Sequence, residues 1–295
     1  MIHIIDLDFL KIPRAIAVFA IPDEDGITLV ECGPATTTAT LEARMQDLSL
    51  DLDRVHTVLL THIHFDHAGA AWQWAARGAT IYVHPIGHKH MVDPSRLYGS
   101  AKQIYGAMMD QLWGEMHPIP AEQVIAVDDR AQLTIGGNRW VAHYTPGHAK
   151  HHIAWQLNDT TVFTGDVGGV MILGGPVVPP CPPPDIDIAA WEQSIARLRS
   201  LPAERFYLTH FGEVTNTKKA LAGLEMRLGK YVDWMRPHAA AGRTSEEVVD
   251  DFTTFLEKEL LDSGVQEKDL DSYRAANPPY MSAAGLLRWF DKYGG

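Results

Sequence analysis

Thr61-His62-Ile63-His64-Phe65-Asp66-His67-Ala68-Gly69 places three imidazoles and one carboxylate within six residues. The apolar run Val55-His56-Thr57-Val58-Leu59-Leu60 precedes it, and the alanine-rich Ala68 to Arg77, ended by Gly78, follows. The first run reads as a buried strand and the second as a helix, so the cluster occupies a strand-to-helix turn. Such a turn can aim several short side chains at one point. Neutral imidazole and carboxylate are ligands for Zn²⁺ or Fe²⁺, and alternate His62 and His64 with adjacent Asp66 and His67 can face two metals rather than one. The bland alternative, a polar loop rich in histidine, does not explain four ligand groups set between two apolar elements.

Upstream, Ala15 to Ile21 and Ile27 to Glu31 are β-branched apolar runs around Pro22-Asp23-Glu24-Asp25-Gly26, the pattern of an antiparallel hairpin. Thr38 to Leu48 has helical spacing. Downstream, Thr80 to His84 reads as a strand, and Gly87 to Trp113 as mostly helical with a break near Asp93-Pro94. Short strands follow at Val124 to Val127, Gln132 to Ile135, Arg139 to Tyr144, Ile153 to Gln156 and Thr161 to Thr164, which suggests a second sheet. Pro176 to Pro184 lacks most of its backbone donors and reads as a stiff loop. Helices are expected at Asp187 to Leu201 and Thr217 to Trp234, with a strand at Phe206 to Thr209 between them. From Thr244 onward the chain reads as helical, opened by Thr244-Ser245-Glu246-Glu247 and closed by Ser282 to Tyr293.

Acidic side chains outnumber basic ones, 37 to 25, for a formal net charge of -12. That balance repels phosphate backbones and anionic lipid and so argues against nucleic-acid and membrane partners. Two cysteines, Cys32 and Cys181, imply no disulfide framework and have no cationic neighbours in sequence; both read as structural. The N-terminus has no secretory pattern, and no apolar run approaches the roughly 18 residues that span a bilayer. A cytoplasmic protein acting on a small molecule is the expectation, with a homodimer left open.

Three more segments set a ligand type just past a strand: Thr145-Pro146-Gly147-His148, Thr164-Gly165-Asp166 and Thr209-His210. Taken with the cluster, these resemble the metallo-β-lactamase superfamily, in order and rough spacing, from about Leu29 to Gly212. The resemblance implies an α/β, four-layer αββα sandwich over residues 1–240, with a helical insertion at 87–114 and a helical C-terminal cap at 241–295. It implies that His62, His64 and His148 hold one metal, that Asp66, His67 and His210 hold the other, and that Asp166 bridges them. Two divalent ions follow, zinc first, iron or manganese in its place. An aspartate at the bridging position and His64 in the motif look like glyoxalase II-like hydrolases. The activity so implied is cleavage of an ester, thioester or lactone by a hydroxide shared between the metals, with Asp66 as an added catalytic proton acceptor. An iron-dependent persulfide dioxygenase and an RNase Z-like phosphodiesterase are the competing activities. Where the family usually has aspartate, this chain has Glu31-Cys32-Gly33. Asp8, Thr61 and Thr209 are candidates to orient imidazoles, and His151 or His152 to stand behind the ligands. His88, Tyr98, Tyr105, Trp113 and Tyr280 are candidates for the substrate pocket, with core packing the alternative for the aromatic set.

Overall fold

In the computed structural model, which describes residues 1–294, the strand before the histidine cluster lies inside a six-stranded sheet. That sheet runs in sequence order: β1 (His3–Asp6), β2 (Ala17–Pro22), β3 (Ile27–Val30), β4 (Val55–Leu59), β5 (Thr80–Val83) and β6 (Val124–Ala126). β1 to β3 pair antiparallel and β3 to β6 parallel. A second sheet holds β7 (Gln132–Ile135), β8 (Asn138–Tyr144), β9 (Ile153–Leu157), β10 (Thr161–Phe163), β11 (Arg205–Leu208) and β12 (Gly212–Val214), in the reverse spatial order. Only β10 and β11 pair parallel there.

Alternation along the strands makes the layers. Ala17, Phe19 and Ile21 of β2 point to a central core with Trp140, Ile153, Trp155, Phe163 and Tyr207 of the other sheet. Val18 and Ala20, one residue out of phase, point the opposite way, under the helices that cover the first sheet. Those helices contribute Leu41, Met45, Trp74, Met91, Ala101 and Met109. On the far face of the second sheet, Val162, Phe206 and Leu208 share a cluster with Trp191, Leu224, Phe252, Leu256, Leu286 and Phe290. The result is an αββα sandwich, and the C-terminal helices Ser245–Asp262 and Pro279–Tyr293 pack into its outer layer on the second sheet.

At one edge the two sheets are tied directly. The Ile153 N–H donates to the Thr61 carbonyl at 2.7 Å, and the Ala17 N–H to the Thr209 carbonyl at 2.8 Å. β4, β8, β10 and β11 all end at this edge, so the segments that follow them meet there.

Three local features differ from the sequence reading. The expected helix from Ala68 to Arg77 is two short helices, Phe65–Ala68 and Ala71–Ala76, because the Ala70 N–H is taken at 2.9 Å by the Gly33 carbonyl and not by its own helix. The edge strands β1 and β12, four and three residues long, carried too little apolar alternation to be read. The helix begun at Thr217 runs on to Ala240, with Pro237 in its last turn.

Two helical glycines give opposite predictions. A Cβ on Gly285 would lie 1.9 Å from the Cys181 carbonyl oxygen, whereas one on Gly229 would meet nothing within 4 Å. Gly285→Ala is expected to destabilise by about 1–3 kcal/mol or more, and Gly229→Ala to stabilise by about 0.5–1 kcal/mol. Urea unfolding of both variants checks the contrast.

Candidate metal centre

Seven side chains from four segments converge at the tied edge. His62 follows β4 and is fully buried; Asp66 and His67 lie on the short helix Phe65–Ala68, and His64 is its N-cap. His148 comes after β8. Asp166 sits in the single helical turn Gly165–Gly168 that follows β10, and His210 comes after β11. Gly165 permits this approach: with φ at +48°, a Cβ there would lie 2.5 Å from Thr61 Oγ1 and 2.7 Å from His152 Nε2.

The donor atoms form two sets. His64 Nδ1 is 2.9 Å from His62 Nε2 and 3.0 Å from His148 Nε2. Asp66 Oδ2 is 3.7 Å from His67 Nε2 and 3.5 Å from His210 Nε2. Asp166 divides itself between them: Oδ2 is 3.3 Å from His148 Nε2, and Oδ1 is 3.3 Å from both His67 Nε2 and His210 Nε2. Ligands about 2.0–2.1 Å from a tetrahedral zinc stand roughly 3.3 Å apart, so these separations are those of a ligand shell.

The far side of each ring fixes which nitrogen faces inward. Thr61 Oγ1 gives its proton to Glu31 Oε1 at 2.5 Å and therefore accepts from His62 Nδ1 at 3.0 Å. His67 Nδ1 donates to Glu31 Oε1 at 3.0 Å, His148 Nδ1 to the Pro180 carbonyl at 2.9 Å, and His210 Nδ1 to the Ala15 carbonyl at 2.6 Å. Carboxylates and carbonyls only accept, so each Nδ1 carries a hydrogen and leaves Nε2 to the interior. The Nε2 lone pairs of His62 and His148 both face His64 Nδ1, at 2.9 and 3.0 Å, and that one nitrogen has at most a single hydrogen to give to the two of them. His67 Nε2, His210 Nε2 and Asp166 Oδ1 are buried with no hydrogen-bond partner. Such groups are satisfied by a cation.

Charge is divided the same way. Burial, together with neighbouring imidazoles, holds His62 well below the usual histidine range and His64 at about 4; burial also lowers His148. These three are neutral at pH 7, the form that binds metal. Burial opposes the charged form at His67 and His210 too, but there the carboxylates of Asp166 and Asp66 prevail. His67 is raised well above its usual value and His210 to about 10. Asp66 is held at about 2, burial being outweighed by His67 and His210. Asp166, in the same balance, lies well below the carboxylate range. In the metal-free chain, protons on two imidazoles thus stand in for cationic charge.

Other candidate residues fall in several places. Asp8 pairs with Arg44 at 2.6 Å on the surface and reaches no imidazole. Thr61 touches His62, while Thr209 Oγ1 lies 3.4 Å from Glu31 and bears on the site through it. Glu31, fully buried with φ at +64°, is the hub: the sequence marks it as a departure from the family's aspartate that should leave the ligands untouched, yet its carboxylate takes His67 Nδ1 directly at 3.0 Å. A carboxylate at the end of an apolar strand, where a charge must be paired, was the signal available. His152 Nδ1 is 2.8 Å from Thr145 Oγ1; His151 is buried, its ring 5.8 Å from that of His64. Tyr105 is driven up in pKa by burial, with Asp66 and Tyr280 adding to it, and its ring lies 5.3 Å from that of Trp113. Tyr98 lies against Phe65, and Trp113 stacks on Phe9 at 5.5 Å within the first sheet's outer core. His88 Nε2 is 3.2 Å from the Val124 carbonyl and ties its helix to β6. Cys32 and Cys181 are buried, and burial raises both thiols.

Comparison with known proteins agrees with this geometry. The metallo-beta-lactamase superfamily matches residues 12–210. A metallo-beta-lactamase fold-containing protein of Sulfurisphaera tokodaii, ST1585, is 28% identical over 72% of this chain and 79% of its own length. An atrochrysone carboxyl ACP thioesterase of Aspergillus fumigatus is 28% identical over 56% of this chain, which spans 41% of that enzyme. Among solved structures, the metallo-beta-lactamase family protein TTHA1429 of Thermus thermophilus aligns with 99% of this chain and 94% of its own at a TM-score of 0.69, with 17% identity. From the strand-end ligand groups, the two-sheet fold and the extent of the family match, the chain belongs to the metallo-beta-lactamase superfamily.

Proposed function

We propose that this protein is a dinuclear metal-dependent hydrolase that cleaves an ester, thioester or lactone. The observation that carries the reading is the division of Asp166: one carboxylate oxygen faces His148 of the first donor set, and the other faces His67 and His210 of the second. His62, His64 and His148 would hold one cation, and Asp66, His67 and His210 the other. Nitrogen and oxygen donors without thiolate suit zinc. When bound, such a pair of cations lowers the pKa of water and polarises a carbonyl.

The chain's own residues supply the rest. Asp66 has 22% of its side chain exposed, against 5% for Asp166, so substrate reaches the centre past Asp66. It is ionised at neutral pH and, once His67 and His210 have given up the protons that hold its pKa down, would accept a proton released during attack on an acyl carbon. Tyr105 keeps its hydroxyl proton, since burial drives its pKa up, and would be a donor for an acyl oxygen; Tyr280 is 48% exposed. The fungal thioesterase relative supports an acyl substrate. A mononuclear iron dioxygenase would leave the Asp66, His67 and His210 set without a role, although His67 Nε2 and His210 Nε2 are buried without a hydrogen-bond partner.

Metal analysis of the purified chain, followed by a panel of thioesters, lactones, esters and phosphodiesters, tests the proposal. Two zinc ions per chain and acyl turnover that a chelator abolishes are expected; one iron with oxygen uptake, or phosphodiester cleavage alone, would overturn it. Asp166→Ala is expected to retain at most one metal and to lose turnover by more than about 10³-fold. Metal uptake at pH 7 should also release about two protons, from His67 and His210, since both must deprotonate to bind. Uptake should weaken as pH falls. Calorimetry in buffers of different ionisation enthalpy reads the proton count, and a count near zero would contradict the charge assignment.

A further inference from the structure

Of the proline-rich loop's residues 179–184, Cys181 alone has a backbone N–H; the others are proline. That N–H donates to Ser282 Oγ at 3.1 Å. It belongs to the peptide unit whose carbonyl, on Pro180, accepts the Nδ1 hydrogen of His148 at 2.9 Å. Ser282 in turn donates to Asn277 Oδ1 at 3.0 Å, and Asn277 Nδ2 donates to the Pro179 carbonyl at 3.2 Å. The peptides on both sides of Pro180 are therefore held by two side chains from the C-terminal helical segment. His148, Cys181, Asn277 and Ser282 are all buried. The helix backbone closes against the same loop, since Gly285 leaves no room for a Cβ beside the Cys181 carbonyl.

We infer that Ser282 and Asn277 are positioning residues for His148: they clamp the Pro180–Cys181 peptide so that its carbonyl fixes the ring, and the C-terminal segment is thereby part of the metal centre. The inference rests on the two-cation reading above. A loop this poor in donors cannot hold its own carbonyl in place through the usual ladder or turn bonds. Ser282 uses the one donor that the prolines leave, and bonding at the N–H of a peptide polarises its carbonyl toward the imidazole. His210 is held elsewhere: its Nδ1 acceptor is the Ala15 carbonyl beside the first sheet, and neither Ser282 nor Asn277 bonds that loop, to which Ser272 Oγ donates at the Pro13 carbonyl, 3.1 Å. Loosening the clamp should thus weaken one metal position selectively.

The test is zinc titration of the full chain against a competing chelator, with His62→Ala and His210→Ala marking the two positions. Ser282→Ala and the isosteric Asn277→Asp are each expected to weaken the His62, His64 and His148 position by about 10–100-fold, and the other position by less than about threefold. In the metal-free protein, the His148 Nδ1 proton should be resolved by NMR in the wild type and exchange faster in both variants. Equal weakening at both positions, or none at either, overturns the clamp, as does an unchanged Nδ1 proton. Should Ser282→Ala fail to fold, Asn277→Asp decides alone. A wild type that takes up no zinc defeats the two-cation reading, and the Nδ1 proton still judges the clamp.

Discussion

A buried carboxylate shared between two groups of imidazoles is the constraint on which the rest depends. Asp166 is almost wholly enclosed, and an enclosed, unpaired charge is costly enough that surrounding groups must supply the opposite sign. In the metal-free chain that sign comes from protons on His67 and His210, and in the proposed holoprotein from cations. This explains why the three-histidine side stays neutral while the side holding Asp66 is protonated, although all of these rings are buried.

The sandwich serves this constraint by assigning each ring's outer nitrogen a different structural partner. Glu31 at the end of β3 takes His67 directly and His62 through Thr61. The loop before β2 takes His210, and the proline loop takes His148. Sheet, loop and C-terminal helices each set one or two ligands, and the hydrogen bonds that tie the sheets at Thr61 and Thr209 bring these supports into register. Precision at the centre comes from several rigid elements converging, which a single loop could not provide.

Much of this was legible in the residues themselves. The dense motif at 62–67 announced a metal turn, and His148, Asp166 and His210 each follow a readable strand, so their convergence required only that those strand ends share an edge. The central strands were plain because they are continuous apolar runs. β1 and β12 were not, since three or four residues at an edge carry almost no periodicity. Glu31 was visible as an oddity of composition, but its role depends on Thr61, His67 and Thr209 arriving from elsewhere, which no local pattern encodes. The bond between Cys181 and Ser282 joins residues 101 positions apart and was out of reach for the same reason. Tyr105 and Trp113, read as pocket candidates, close on each other at 5.3 Å and both pack on the first sheet's outer core.

Whether two cations share Asp166 decides the nature of this centre. Anomalous diffraction from a zinc-loaded crystal locates them directly. It should show two peaks, one within bonding distance of His62 Nε2, His64 Nδ1 and His148 Nε2, the other among Asp66 Oδ2, His67 Nε2 and His210 Nε2, with Asp166 between. A single peak, or zinc bound away from Asp166, would contradict the two-cation reading.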